Sequence, residues 1–238
     1  MADDWVLLIS CEHGGNKIPR EYSEYVTDEV SGLLNTHRGW DKGALTMAKE
    51  ISRTENAPLY FTEISRLVVD CNRSINHKNC YGPSFRDLSP ETKEQIASDF
   101  YFPYRSSVIE GIERLRKMGK KVFHCSFHSF TPVMDGEVRN ADFGLLYDPA
   151  RASEMKWADV FMGKIDEQGF AWKSRRNYPY LGKSDGFTKF LRGKFPAGGY
   201  VGFELEFNQR IFQDAAQVSL LKGAVSSLFA SLPLSRGH

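Results

Sequence analysis

The run Val6-Leu7-Leu8-Ile9 is apolar without interruption and ends in Glu12-His13-Gly14-Gly15-Asn16, with Pro19 closing the turn. Its length suits a buried strand and is too short for a helix. In open α/β sheets, ligands sit just beyond the carboxyl ends of strands, where loops begin. A histidine at that point, followed by two glycines that let backbone come close, reads as a site. On this stretch alone, a solvated turn with an incidental histidine fits as well.

Alternation governs the rest. A polar segment with helical character covers roughly 21–35. A second helix starts near Asp41: Leu45, Ala48 and Ile51 are spaced for one face, and Asp41 stands where an N-cap or first-turn acid is favoured. Strands follow at 58–64 and 66–70, the second running into Cys71-Asn72-Arg73-Ser74, and a loop rich in Asn, Gly and Pro reaches Leu88. Ser89-Pro90 opens a helix carrying Ile96, Phe100, Val108, Ile112 and Leu115, with a kink at Pro103. A strand over 121–127 finishes at His128-Ser129-Phe130. Residues 131–140 read as loop, and 142–148 as a strand. A helix over about 152–169, a loop over 177–186, a short helical segment over 187–195 and a strand over 200–208 come next. The final helix carries Val218, Leu221, Val225 and Leu228 on one stripe. Strands alternating with helices predict an α/β fold, a mixed and mostly parallel sheet with helices on both faces. No linker, repeat or low-complexity segment intervenes, so residues 1–238 are read as a single three-layer domain.

Composition narrows the function classes. A length of 238 residues buries a substantial core, and 41% hydrophobic with 26% charged residues is ordinary for a soluble globular protein. A net charge of +1 gives no electrostatic argument for nucleic acid or an anionic membrane as partner. The start, Met1-Ala2-Asp3-Asp4, lacks the basic residues of a secretory signal, and no stretch approaches the length of a membrane span. Cys11, Cys71, Cys80 and Cys125 form no CxxC pair. They read as reduced thiols of a cytoplasmic protein, without a structural zinc site.

Three groups stand at strand ends: His13, His128 and the pair Glu204/Glu206. Imidazole and carboxylate ligands around an open position are what a catalytic zinc needs. His124 lies four residues before His128, about 13 Å along a strand, too far to share one metal, and reads as a structural histidine. Glu204 and Glu206 occupy one face of their strand, with Phe203, Leu205 and Phe207 on the other. Two acids on an apolar element are costly to bury unpaired. Either they face a polar site, or they meet Arg or Lys, or the strand is a solvent-facing edge. Asn72-Arg73 supplies an amide and a guanidinium fork suited to a carboxylate, although a surface arginine beside a loop asparagine reads the same way.

The order SCEHGGNKIP, WDKGA, SRLVVDCNR, HSF and FELEFNQ resembles the N-formylglutamate amidohydrolase family, over roughly 5–209. That family in turn resembles the zinc carboxypeptidases and aspartoacylases, which implies a zinc-carboxypeptidase-like fold. His128-Ser129-Phe130 is similar to the carboxypeptidases' second histidine ligand, Phe203-Glu204-Leu205 to their catalytic glutamate, and Asp70-Cys71-Asn72-Arg73 to their substrate-carboxylate stretch. One departure stands out. Where carboxypeptidases carry His-x-x-Glu, the fourth residue here is Asn16. The third protein ligand then comes from elsewhere or is absent; Asp41, which also reads as a mere helix cap, is chosen over Glu12, whose side chain on extended backbone points away from that of His13.

The resemblance implies a zinc enzyme, or one using another divalent metal, that hydrolyses a small N-acyl amino acid such as N-formyl-L-glutamate to formate and glutamate. His13, Asp41 and His128 would hold the metal, and Glu204 would be the general base. Arg73 with Asn72 would bind a substrate carboxylate, with Arg66 and Lys183 as candidates for a second one. Asp185, Gly186 and Thr188 would line the opposite wall, although a turn followed by a capped helix reads equally well there. Another N-acyl amino acid or peptide substrate remains open, as does a binding protein without the chemistry. A cysteine hydrolase built on Cys11 and His13 is disfavoured, because residues two apart rarely make the nucleophile–base contact.

Overall fold

The computed structural model describes residues 4–235. The first three residues of the acidic start discussed above, Met1–Asp3, lie outside that range. Among the described residues, nineteen helical and strand segments are arranged about a six-stranded sheet. Strand β1 (Trp5–Cys11) is buried along its whole length. It pairs in parallel with β2 (Leu59–Phe61) and with β3 (Lys121–Phe130). Beyond β3 lies β8 (Tyr200–Asn208), also parallel. An antiparallel strand, β6 (Phe143–Leu146), follows, and β7 (Ser174–Arg176) forms the edge. The spatial order is β2-β1-β3-β8-β6-β7.

Period-two alternation divides the core. On one face of the sheet, Leu7, Ile9, Phe123, Cys125, Phe127, Phe203, Leu205 and Phe207 pack against α2 (Ala44–Glu55), α6 (Ala152–Glu167) and α8 (Ala215–Ser231). On the other, Leu8, Val122 and Tyr200 pack against α5 (Phe102–Lys117), α7 (Phe187–Lys194) and the segment from Leu67 to Phe85. The chain leaves β1 through α2 on the first face and returns from β2 to β3 through α5 on the second. The carboxyl ends of β1 and β3 therefore flank a topological switch point, the place where such sheets open a crevice.

Several elements differ from the sequence expectation. Residues 66–70 are not a strand. They lie outside the sheet as a turn and extended segment, with Val68 N–H donating to Ser65 O (2.9 Å), Asp70 N–H to Cys80 O (2.7 Å) and Gly82 N–H to Leu67 O (2.8 Å). The β-branched run Val68-Val69 is buried against neighbouring helices rather than paired. The polar segment after β1 splits into a 3₁₀ turn (Arg20–Tyr25) and α1 (Asp28–Leu33). The four-residue helix α3 (Pro83–Arg86) interrupts the Asn/Gly/Pro-rich loop. Helix α4 (Pro90–Ile96) runs through a π-helical turn, Ala97–Tyr101, into α5. The irregularity lies just upstream of Pro103, where a proline ring would crowd the preceding turn. Within 131–140, β4 (Val133–Met134) and β5 (Glu137–Val138) form a hairpin about Asp135-Gly136, both with positive φ, as an Asp-Gly turn favours. Strand β7 went unforeseen because Ser-Arg-Arg carries no apolar signal.

Candidate active site

The histidines and Asp41 reach the crevice from near the ends of elements, and Glu204 from the middle of β8. Gly14 and Gly15 tuck the chain leaving β1 against residues 62–63. A Cβ on either would meet the carbonyl of Thr62 at 2.8 Å or of Glu63 at 2.7 Å. His13 is thereby fixed at the crevice floor. Asp41 is not the N-cap of α2. Gly43 takes that place with φ 87°, in the left-handed region that glycine enters without strain. The Asp41 backbone is held by its N–H to His13 O (3.0 Å), and its carboxylate is free to face inward. His128 lies near the end of β3, on the same face as His124 and Ser126.

The three side chains converge. Asp41 Oδ2 lies 3.3 Å from His13 Nδ1 and 2.9 Å from His128 Nδ1. Among the described residues, His13, Asp41 and His128 form a buried group that could hold a metal ion, with ligand atoms within 4.8 Å of one another. Ligands held about 2.0–2.1 Å from a tetrahedral zinc lie about 3.3 Å apart, so this donor set fits. The other ring nitrogens are occupied by carboxylates. His13 Nε2 is 2.7 Å from Asp70 Oδ1, and His128 Nε2 is 3.2 Å from Glu12 Oε2. A carboxylate on the far nitrogen fixes the ring and the tautomer that leaves Nδ1 free as a ligand. Glu12 also accepts from Ser10 Oγ (2.7 Å), Tyr104 OH (2.9 Å) and Ser126 Oγ. Asp70 accepts from Arg66 Nη2 (2.7 Å) and from Asn72 N–H (2.9 Å).

These neighbours set the charges. Burial works against ionising Asp41, yet the two imidazoles hold its carboxyl well below the usual range. Burial likewise opposes Asp70, which Arg66 and His13 keep ionised, and Glu12, which His128 and the hydroxyls of Ser126 and Ser10 keep ionised. Both histidines move upward despite burial: Asp70 and Asp41 act on His13, and Asp41 and Glu12 on His128. His124 behaves otherwise. Burial between Ser10 Oγ (2.8 Å) and Tyr200 OH (2.8 Å) pushes it down to about 4, so it is a neutral structural histidine.

Glu204 and Glu206 face the same cleft, of about 580 Å³, as the histidines. In the β3–β8 register, Glu204 lies opposite Ser126 and Glu206 opposite His128. Thr188 Oγ1 donates to Glu204 Oε1. Glu206 is buried, its Oε2 has no hydrogen-bond partner among the described residues, and burial, with Asp41 and Glu204 close by, pushes it up to about 8 although His128 counters.

The remaining expected residues divide. Arg73 lines the cleft, with Nη1 donating to Asp185 O at 3.0 Å. Asn72 lines it too, but its Oδ1 accepts from Phe187 N–H at 2.7 Å. Asp185 is tied to Ser74. Arg66 lines the cleft, with Nη2 on Asp70 and Nη1 3.5 Å from Asp41 Oδ1. Lys183 is exposed and is not among the residues lining the cleft. Asn16 is also remote in role: its amide donates to Leu34 O (3.2 Å) and Asn35 Oδ1 (3.0 Å). The carboxylates on the far side of each ring, Glu12 and Asp70, were missed as partners. Their only signal was an acid beside His13 and another heading the Asn72-Arg73 stretch.

A buried two-histidine, one-carboxylate cluster at the switch point of a mixed α/β sheet, with two glutamates opposite, is an arrangement suited to hydrolysis. The family model for N-formylglutamate amidohydrolase matches residues 6–213, and the chain belongs to that family of amide hydrolases. Among solved structures it is similar to gene product Atu2144 from Agrobacterium tumefaciens, at 29% identity and TM-score 0.80, over 94% of this chain and 88% of that one. It is also similar to N-formylglutamate amidohydrolase from Ralstonia eutropha JMP134, at 17% identity and TM-score 0.71, over 95% and 92%. The second likeness shows the fold. No curated protein matches the chain. Among the described residues, no helix is long and apolar enough to cross a membrane.

Proposed function

We propose that this single domain is a metal-dependent amidohydrolase that cleaves N-formyl-L-glutamate to formate and glutamate in the cytoplasm. The observation that carries the reading is the convergence of both Nδ1 atoms on one oxygen of Asp41 while both Nε2 atoms are held by carboxylates. His13, Asp41 and His128 would hold zinc or another divalent ion, which when bound supplies a lowered water pKa and a polarised acyl carbonyl. Thr188 anchors Glu204 through Oε1, leaving Oε2 to take the water's proton as its oxygen attacks the acyl carbon. Glu204 then passes that proton to the leaving nitrogen as the C–N bond breaks. Arg73 holds the substrate carboxylate, and the backbone carbonyl of Asp185 keeps its guanidinium turned to the cleft wall.

Metal content of protein purified without added metal or chelator, then formate release from N-formylglutamate with and without zinc, tests this. About one metal per chain and zinc-dependent release support it. Protein that holds no metal even after zinc is restored overturns it. One observation favours a wider substrate range: Arg66 is engaged by carboxylates and Lys183 lies outside the lining. Of the three cations expected to bind carboxylate, Arg73 is the one that lines the cleft without a carboxylate ion pair of its own. A panel of N-acyl amino acids with neutral and acidic side chains separates this from strict glutamate specificity.

A further inference from the structure

Arg105 is an interior cation outside the metal cluster. It is 6% exposed, and among the described residues no carboxylate forms an ion pair with it. A buried guanidinium without an acid is costly unless its donors and its flat faces are otherwise satisfied. Here the faces meet three rings, with Phe187 at 4.1 Å, Phe190 at 4.7 Å and Tyr101 at 4.9 Å. Nη1 donates to Cys71 O (3.1 Å) and Arg73 O (3.2 Å), the carbonyls on either side of Asn72. Tyr101 OH adds a third donor, at 2.8 Å from Arg73 O.

This stretch needs such a clamp. Residues 66–74 gain no sheet partner, and the carbonyls of Cys71 and Arg73 find side-chain donors on the helix opposite. The same stretch carries Asn72, which accepts from Phe187 N–H, and Arg73, which reaches Asp185 O. One residue beyond Phe187 stands Thr188, the donor to Glu204. Arg105 thus touches both sides of the cleft from below: the Arg73-bearing turn through its donors, the start of α7 through the ring of Phe187.

We propose that Arg105 is a positioning residue that joins the Asn72–Arg73 turn to the start of α7 and so sets the alignment of the substrate-binding guanidinium against the general base. The substrate half of this rests on the proposed function, and the alignment half does not. Arg105→Met and Arg105→Lys in the full-length, metal-loaded protein test both halves. Lysine keeps the charge but cannot span two carbonyls while stacking on rings, and it serves as the milder variant if methionine prevents folding.

Amide hydrogen exchange of Arg73, Ser74 and Phe187 should quicken roughly 10-fold or more in Arg105→Met, with β3 amides unchanged and Arg105→Lys intermediate. For N-formylglutamate, KM should rise about 10-fold with kcat within about threefold. A bare loss of stability would instead speed exchange across the sheet and lower the active fraction at constant KM. Acceleration spread evenly over the chain, or none at the three amides, overturns the inference. Selective acceleration with unchanged KM keeps the alignment half and overturns the substrate role given to Arg73. A wild-type protein that releases no formate sinks the proposed activity, while the exchange pattern still decides Arg105.

Discussion

At the scale of single residues, the imidazoles are held more firmly than the ligand set alone requires. Replacing a carboxylate behind a ligating histidine weakens metal binding about 10–100-fold, and Asp70→Asn and Glu12→Gln should each do so in a metal titration, with the fold intact. Glu204→Gln should retain metal and lose about 10²–10⁴-fold in turnover, whereas His128→Ala should lose both. Glu206 gives a pH signature in metal-free protein. Its folded value of about 8 lies above the ordinary 4.5, so the folded state keeps a proton that the unfolded chain has already released. Stability should therefore fall as pH rises from about 4.5 to 8, and Glu206→Gln should flatten that slope in melting curves. Position at strand ends brought His13 and His128 forward, and the family resemblance brought Asp41 and Glu204, although Glu204 lies in the middle of β8. Asp70 and Glu12 could not be paired with their rings from sequence, since the pairing depends on the β1–β3 register and on a turn outside the sheet.

At the scale of elements, Gly43 decides what Asp41 can do. Its left-handed backbone starts α2 two residues after Asp41, and a Cβ there would meet the Phe212 ring at 2.4 Å. Gly43→Ala should cost about 2–5 kcal/mol, the sum of a left-handed alanine and an overpacked contact, read by chemical denaturation. It should also weaken metal binding by turning the aspartate back toward a capping geometry. Strands β1, β3 and β8 were legible because apolar alternation and polar strand ends agree in them. The segment 66–70 was misread because Val68-Val69 carries the same β-branched signal whether it joins a sheet or fills a helix-lined core. Residues 97–103 kept their helical character, but proline's effect was placed at the ring itself rather than in the turn before it.

At the scale of the molecule, the switch point gathers groups from residues 12 to 206 into one buried cluster, so loading the site and holding the fold are coupled. A ligand at 100 times its dissociation constant adds about 2.7 kcal/mol to stability. Chelated protein should accordingly melt lower than loaded protein, and the difference should shrink in His13→Ala. Acid should act through a separate group. His124, held down to about 4 against an ordinary 6.5, binds its proton later in the folded state than in the unfolded chain. The stability it contributes is present above about 6.5 and is lost as pH falls toward 4, a window to be checked by denaturation in chelator.

The placement of residues 66–74 off the sheet has one more consequence. The atoms that would perform the chemistry hang from the strands of the sheet and the approach to a helix, whereas the guanidinium that would grip the substrate rides on a turn stapled by side chains from α5. The same stretch begins with Arg66 and Asp70, which hold His13 and Asp41 from behind, so rewriting it reaches the cluster as well as the grip. A change in what is gripped and a change in how the bond is broken would then travel on one short length of chain.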